Sequence, residues 1–194
     1  MRMRHFLPAL LLALVAWPAT AGNYEIYGGY YSPDDGVFQE GLTYGVRGSW
    51  PVRDAWSVGL SVGRWEDSQS ARFGGIQFPG LPPIGGFEVE FEVTLTLVDV
   101  SVAKELTPGG WMVYGGPGWA FAEADAEVRG IGIPGGFDVS DSAREDSFTV
   151  HLGFGGRFPL GERMYWRPDI RARWFTEGGS SSDLEASIAL GWSL

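Results

Sequence analysis

Met164-Tyr165-Trp166-Arg167-Pro168-Asp169-Ile170-Arg171-Ala172-Arg173-Trp174-Phe175 gives every second residue to a different solvent. In an extended chain Trp166, Pro168, Ile170, Ala172 and Trp174 fall on one face, and Arg167, Asp169, Arg171 and Arg173 on the other. The period of two is incompatible with a helix. If the apolar face meets hydrocarbon, the arginines must line the inside of a closed barrel, because each Arg at the lipid midplane would cost about 2–4 kcal/mol.

The same alternation recurs along the chain. Strands are expected over 24–31, 42–50, 56–65, 87–106, 111–127, 148–158, the 164–175 stretch and 184–194. Turn chemistry separates them: Pro33-Asp34-Asp35-Gly36, Pro51-Val52-Arg53-Asp54, Thr107-Pro108-Gly109-Gly110 and Pro159-Leu160-Gly161-Glu162. Longer loops are expected at 66–86 and 129–144. Connections thus run medium, short, long, short, long, short, medium, so an up-and-down barrel would have tight turns at one end and long loops at the other. An even count near eight brings the last strand beside the first and removes both sheet edges.

The N-terminus opens Met1-Arg2-Met3-Arg4-His5, continues through an apolar run from Phe6 to Trp17, and reaches Ala19-Thr20-Ala21 before Gly22. A positive start, an apolar segment too short to span a bilayer and a small-x-small site read as an export signal over 1–21. The barrel domain is then 22–194. Without Arg2 and Arg4 the net charge moves from −10 to −12, which makes nucleic acid an unfavourable partner. The absence of cysteine removes disulfides, thiolate catalysis and Cys-ligated metals. No later segment is apolar enough for a transmembrane helix, so only a closed sheet could span lipid.

A soluble barrel or sandwich would share this alternation. Against it stand the small residues of the polar faces, including Gly45, Ser49, Ser57, Gly59, Ser61, Gly63, Gly153, Gly155, Ser187 and Gly191, which suit a crowded interior. Strand parity also sends Glu25, Asp99, Glu105, Asp169 and Glu185 inward with Arg47, Arg157, Arg167, Arg171 and Arg173, five acids against five arginines. Ionised groups in a narrow interior must be paired and hydrogen-bonded. Aromatics collect near strand ends: Trp50, Trp56, Trp111, Phe158, Tyr165, Trp166 and Trp192 towards the short turns, and Tyr30, Tyr44, Trp119, Phe121, Phe148 and Trp174 towards the loops. Two rows of this kind match interfacial girdles.

The strand 87–106 poses a question of phase. Phe87, Val89, Phe91, Val93, Leu95 and Leu97 alternate in one parity, and Val98, Val100 and Val102 in the other. A β-bulge near Leu97 would keep all of them outward. An unbroken phase would instead put Glu88, Glu90 and Glu92 outside and above the lipid. The strand 111–127 favours the second, since Val113, Trp119 and Phe121 give way to Glu123, Asp125 and Glu127 on one face. On that reading strands three to six project beyond the membrane around an apolar mouth of Trp65, Phe87, Val89, Phe91, Val93 and Val128.

Signal, alternating strands, two unlike ends and a final strand closing Leu190-Gly191-Trp192-Ser193-Leu194 together resemble the small outer-membrane barrels of the OmpA/OmpX superfamily. One departure is Leu194, where that family usually has an aromatic. The resemblance implies an eight-stranded antiparallel barrel in a bacterial outer membrane, with lipid and the barrel-assembly machinery as partners and a monomer as the expected state.

For chemistry, His151 is the single histidine after the signal, on the polar face of strand six. Outer-membrane deacylases pair His with a nearby Ser, but two residues on stands Gly153; a hydrogen-bonded interior histidine is the simpler reading. Gly153-Phe154-Gly155-Gly156 has Phe158 where a dinucleotide motif needs its last glycine. Neither a catalytic site, a metal site nor a cofactor is expected. The leading expectation is a non-enzymatic barrel with a salt-bridged lumen, acting structurally or through its acidic loops. Binding or passage of a small hydrophobic ligand through the apolar mouth is the alternative, and a lipid-modifying enzyme the third.

Overall fold

The computed structural model describes residues 22–34, 39–74, 85–107, 110–131, 138–176 and 182–194. The proposed signal, 1–21, lies outside the described residues, as do the tips of several connections. Nine strands follow in order: β1 Asn23–Ser32, β2 Gly41–Arg53, β3 Trp56–Phe73, β4 Gly86–Glu105, β5 Trp111–Ile131, β6 Asp138–Gly156, β7 Phe158–Pro159, β8 Met164–Phe175 and β9 Ser182–Ser193. All pairings are antiparallel between neighbours in sequence, except that β1 pairs β9 and β6 pairs β8. The two-residue β7 only continues β6 beyond Arg157 along the start of β8. Eight long strands therefore close into a ring.

The period of two maps directly onto burial. Along β8 Tyr165, Arg167, Asp169, Arg171 and Arg173 are buried, and Trp166, Ile170 and Trp174 are exposed. β9 repeats the pattern, with Asp183, Glu185, Ser187 and Ala189 inside and Leu184, Ile188 and Leu190 outside. The molecule is thus inverted: Arg171 and Arg173 are among its largest fully buried side chains, while Ile188 is 63% exposed and Ile170 56%. A continuous apolar belt of this kind is not stable in water.

Strand length is uneven. β1, β2, β8 and β9 have 10 to 13 residues, against 18 to 21 in β3, β4, β5 and β6. At roughly 3.3 Å per residue the long strands reach about 60–70 Å, whereas a bilayer needs about 9–11 residues of tilted strand. The expected loops 66–86 and 129–144 are correspondingly shorter, because Glu66–Phe73 and Asp138–Arg144 are paired strand. Their polar, non-alternating composition concealed them: strands wetted on both faces carry no hydrophobic period.

β4 keeps one register with β3 from Trp56↔Lys104 to Phe73↔Phe87, and the same phase with β5 on both sides of Leu97. No bulge intervenes. Leu95, Leu97 and Asp99 all point inward, and Val100 and Val102 outward. The irregularity in the ladder of β2 and β3 lies instead at Pro51 and Arg53, beside the turn at Asp54. Asp54 takes φ 49°, a left-handed conformation that Asp tolerates better than most residues.

Candidate functional site

The interior is layered from the short-turn end upward. Lowest is Glu25 of β1, which accepts from Tyr165 Oη at 2.9 Å and from Arg47 Nη1 at 3.2 Å, with Arg167 Nη1 at 3.3 Å and Arg157 Nε at 3.8 Å. Arg157 also donates to Ser49 Oγ at 2.8 Å. Next, Asp169 accepts from Arg167 Nη2 at 2.8 Å and from the Tyr114 hydroxyl, with Arg47 Nη2 at 3.7 Å. Above it, Asp99 of β4 holds Arg171 Nη1 at 2.6 Å and Arg173 Nη1 and Nη2 at 2.5 and 3.0 Å. Ser61 Oγ donates to the same carboxylate at 3.3 Å.

Three tyrosines fit this network to the wall. Tyr114 lies where a Cβ of Gly153 would be, Tyr165 over Gly191, and Tyr27 over Gly45 and Gly63. Guanidinium groups stack over these rings: Arg47 lies 4.9 Å from the centroid of Tyr27, Arg167 5.0 Å from that of Tyr114 and Arg157 5.5 Å from that of Tyr165. Gly45, Gly63, Gly153 and Gly191 are therefore sockets for rings, a purpose that alternation alone did not disclose, whereas Gly155 leaves room for the Asp169 carboxylate. Tyr165, expected in the outer girdle, is one of these interior rings; its odd position on β8 had already put it among the arginines.

Parity brought together Glu25, Arg47, Asp99, Arg157, Arg167, Asp169, Arg171, Arg173 and His151. Glu185 joins less closely, with Arg171 and Arg173 each 4.0 Å away. Glu105 does not join: as the last residue of β4 it is exposed at the short-turn rim, where its N–H donates to Ala55 O at 2.8 Å. Its place in the balance is taken by Asp183, which is buried and accepts from the Tyr31 hydroxyl and from Asp34 N. Asp183 shares the inward parity of Glu185 but fell one residue before the expected start of the strand.

His151 is buried, with Nε2 3.1 Å from Ser101 Oγ and Nδ1 3.6 Å from Asp99 Oδ1. Neighbouring residues in sequence gave no hint of Ser101, which comes from β4, two strands away. The Asp99 distance is beyond hydrogen-bond range, and Asp99 is already committed to two guanidiniums. Among the described residues no group of three or more His, Asp or Glu side chains could hold a metal ion.

Above the ionic layers the interior turns apolar. Tyr31, Trp65, Val93, Leu95, Leu97 and Ala120 form a buried cluster, with Phe91 and Phe175 packed against it. Of the expected mouth, Trp65, Val93 and Phe91 belong here; Val89 and Val128 are half-buried higher up, directly paired across β4 and β5. Phe87 is exposed and stacks on Phe73 at 4.7 Å. On the outside at this height the acids begin. Glu92 stands opposite Asp125, and Glu90 opposite Glu127.

Outer aromatics mark both ends of the apolar belt. Trp111, Phe158 and Trp166 form one connected group at the short turns, and Trp119 packs edge-on against Phe148 towards the loops. Charge inside, hydrocarbon outside and two aromatic rows describe a barrel built for a bilayer. A family model described as "Outer membrane protein beta-barrel domain" matches residues 6–193. The chain belongs to this outer-membrane β-barrel family. Membership implies the bacterial outer membrane, where the belt meets lipid.

Solved outer-membrane barrels are similar in overall course. Ail of Yersinia pestis aligns with 90% of this chain and 98% of its own at 9% identity and a TM-score of 0.49. Neisserial surface protein A covers 89% and 98% at 10% identity and 0.47, and the N-terminal barrel domain of Pseudomonas aeruginosa OprF 89% and 97% at 14% and 0.42. No curated protein sequence matches the chain significantly.

Proposed function

We propose that this outer-membrane barrel is a non-enzymatic anchor whose ion-paired lumen is closed to ion flow and whose tall side presents an acidic sheet at the cell surface for interaction. One observation carries this reading: β3 to β6 continue in unbroken register well past bilayer height, and their outer faces change from Val98, Trp119 and Phe121 to Glu92, Glu123 and Asp125 at a common level. That level is where the outside solvent changes from lipid to water. Opposed like charges such as Glu92 and Asp125 destabilise an isolated sheet, so this face suits a surface that meets cations or basic partners. His151 serves the network as a neighbour of Ser101 and Asp99. An export signal over 1–21 would deliver the chain, and the assembly machinery would insert it as a monomer.

A second reading rests on the half-buried Phe91, Val89 and Val128 above the sealed cluster. A small hydrophobic ligand could bind there. Labelling on intact cells tests the first reading, because the chain has no cysteine of its own. A membrane-impermeant maleimide should modify Glu90→Cys and spare Val100→Cys, and the purified protein should give no stable channel in planar bilayers. Unlabelled Glu90→Cys, or steady conductance, would overturn it.

A further inference from the structure

Above the sealed cluster the projecting sheet has two unlike faces. Residues directly opposite one another in adjacent strands share a face, so the registers give its inner rows. Asp67, Val93, Ala124 and Ala143 form one, Gln69, Phe91, Ala126 and Asp141 the next, and Ala71, Val89, Val128 and Val139 the one above. Glu145 stands opposite Ala122 below them, and the stacked Phe73 and Phe87 lie at the top. The middle of this face, on β4 and β5, is therefore apolar, and acids flank it on β3 and β6. Arg72, Arg129 and Arg144 all lie on the outer face, where each pairs with an acid: Glu88 at 2.9 Å, Glu127 at 2.5 Å and Glu123 at 3.2 Å. Among the described residues the inner face carries no basic side chain from Asp67 upward.

The inner face is also open to water. Phe73 is 49% exposed, Phe87 41% and Val139 58%, and an exposed apolar patch rimmed by polar groups marks an interaction site. Its dimensions select the guest. With neighbouring strands about 4.8 Å apart, the acid-bearing β3 and β6 are about 14 Å from each other, and the six steps from Val93 to Phe87 span about 20 Å. An α-helix is about 10–12 Å across and covers that length in about 13 residues, so it fits between the acids with its apolar stripe on β4 and β5. The chain supplies no such guest from its own connections, since 35–38, 75–84, 132–137 and 177–181 contain neither Lys nor Arg. A second copy would bring acid against acid.

We infer that the inner face of the projecting sheet docks an amphipathic helix of a partner protein, with its apolar stripe on Val89, Phe91 and Val128 and flanking Lys or Arg side chains reaching Asp67, Asp141 and Glu145. The inference rests on the surface placement proposed above. It differs from the binding of a small hydrophobic ligand, which needs no flanking charge.

The experiment uses the full chain folded in nanodiscs of zwitterionic lipid, with empty nanodiscs as the blank, and a fluorescent fifteen-residue peptide whose Leu stripe is flanked by Lys. The peptide should bind saturably and gain helix by circular dichroism. Val89→Thr, Phe91→Thr and Val128→Thr together should weaken binding at least tenfold, whereas Glu90→Thr with Glu127→Thr, on the outer face, should change it less than threefold. Asp67→Asn, Asp141→Asn and Glu145→Gln together should weaken it several-fold and remove most of its salt dependence. Heat-modifiable mobility on gels checks that each variant is folded. Equal losses from the inner and outer changes would reduce the contact to surface charge and overturn the inference. Binding indifferent to the three inner acids would also overturn it, and would favour an uncharged ligand. Binding that appears only when 76–83 is replaced by a Gly-Ser turn would assign the face to the chain's own hairpin, and dimers dissociated by the peptide would assign it to a second copy; either result overturns the inference. No binding by a protein whose Glu90→Cys variant is labelled on cells would overturn it while leaving the surface placement standing.

Discussion

Replacing Asp99 by Asn keeps the shape of the side chain and removes the charge that two buried guanidiniums share. Asp99 is 1% exposed and holds Arg171 at 2.6 Å and Arg173 at 2.5 and 3.0 Å. In Asp99→Asn the amide oxygen can take the place of Oδ2, which both arginines bond, but its neutral NH₂ group then faces Arg173 Nη1, donor against donor. Glu185, 4.0 Å from both, is the nearest remaining carboxylate. Breaking a buried ion pair by removing one partner costs about 3–5 kcal/mol, because the stranded charge stays desolvated. Glu185 offsets part of this for one arginine only, so a loss of about 3–5 kcal/mol is expected. Urea unfolding of the protein in lipid vesicles, followed by tryptophan fluorescence, measures it. Adding Arg173→Met removes one stranded charge, and the double variant should recover at least about 2 kcal/mol relative to the sum of the single changes. A loss below about 1 kcal/mol for Asp99→Asn, with additive behaviour in the double variant, would refute the claim that paired charges hold the interior together.

Other changes probe separate parts of the account. Gly153→Ala places a methyl group where the Tyr114 ring lies and should cost about 1–3 kcal/mol in the same assay, while Gly74→Ala, which meets nothing nearby, should be near neutral. Val100→Arg, on the outward face between the two aromatic rows, should cost about 2–4 kcal/mol; Glu92→Arg, on the same face of β4 but above the boundary, should stay within about 0.5 kcal/mol. Glu40 accepts from Tyr30 Oη at 2.8 Å and Ser32 Oγ at 2.9 Å, and these bonds hold its carboxyl below the usual range. A depressed carboxyl stabilises the fold above its ordinary pKa and loses that contribution as pH falls through the folded value. In Tyr30→Phe the Glu40 titration, read by NMR, should therefore move upward.

The parity of β8 disclosed the barrel, and the parity of the other strands disclosed most of the ionic interior. Inward and outward positions follow from a period of two without knowledge of any contact. Three things stayed hidden for physical reasons. The upper parts of β3 and β6 are wet on both faces and carry no hydrophobic pattern. Glu105 and Asp183 sit at strand ends, where one residue of uncertainty in a boundary decides between rim and interior. The partners within the interior, such as Tyr114 with Asp169 or Ser101 with His151, depend on the stagger between strands, which alternation does not specify. The phase of β4, by contrast, was readable because two adjacent strands changed character together, and the unbroken register shows why no bulge was needed.

The most direct test is solvent accessibility along β8. Single cysteines at each position from Tyr165 to Trp174, spin-labelled in lipid vesicles, can be relaxed by oxygen dissolved in the bilayer or by a water-soluble nickel chelate. Trp166, Pro168, Ile170, Ala172 and Trp174 should respond to oxygen, with depth rising towards Ile170, and Arg167, Asp169, Arg171 and Arg173 should respond weakly to both reagents. Nickel relaxation at the even positions, or free access of the chelate to Arg171, would mean that hydrocarbon does not wet the apolar face and that the charged interior is not sealed.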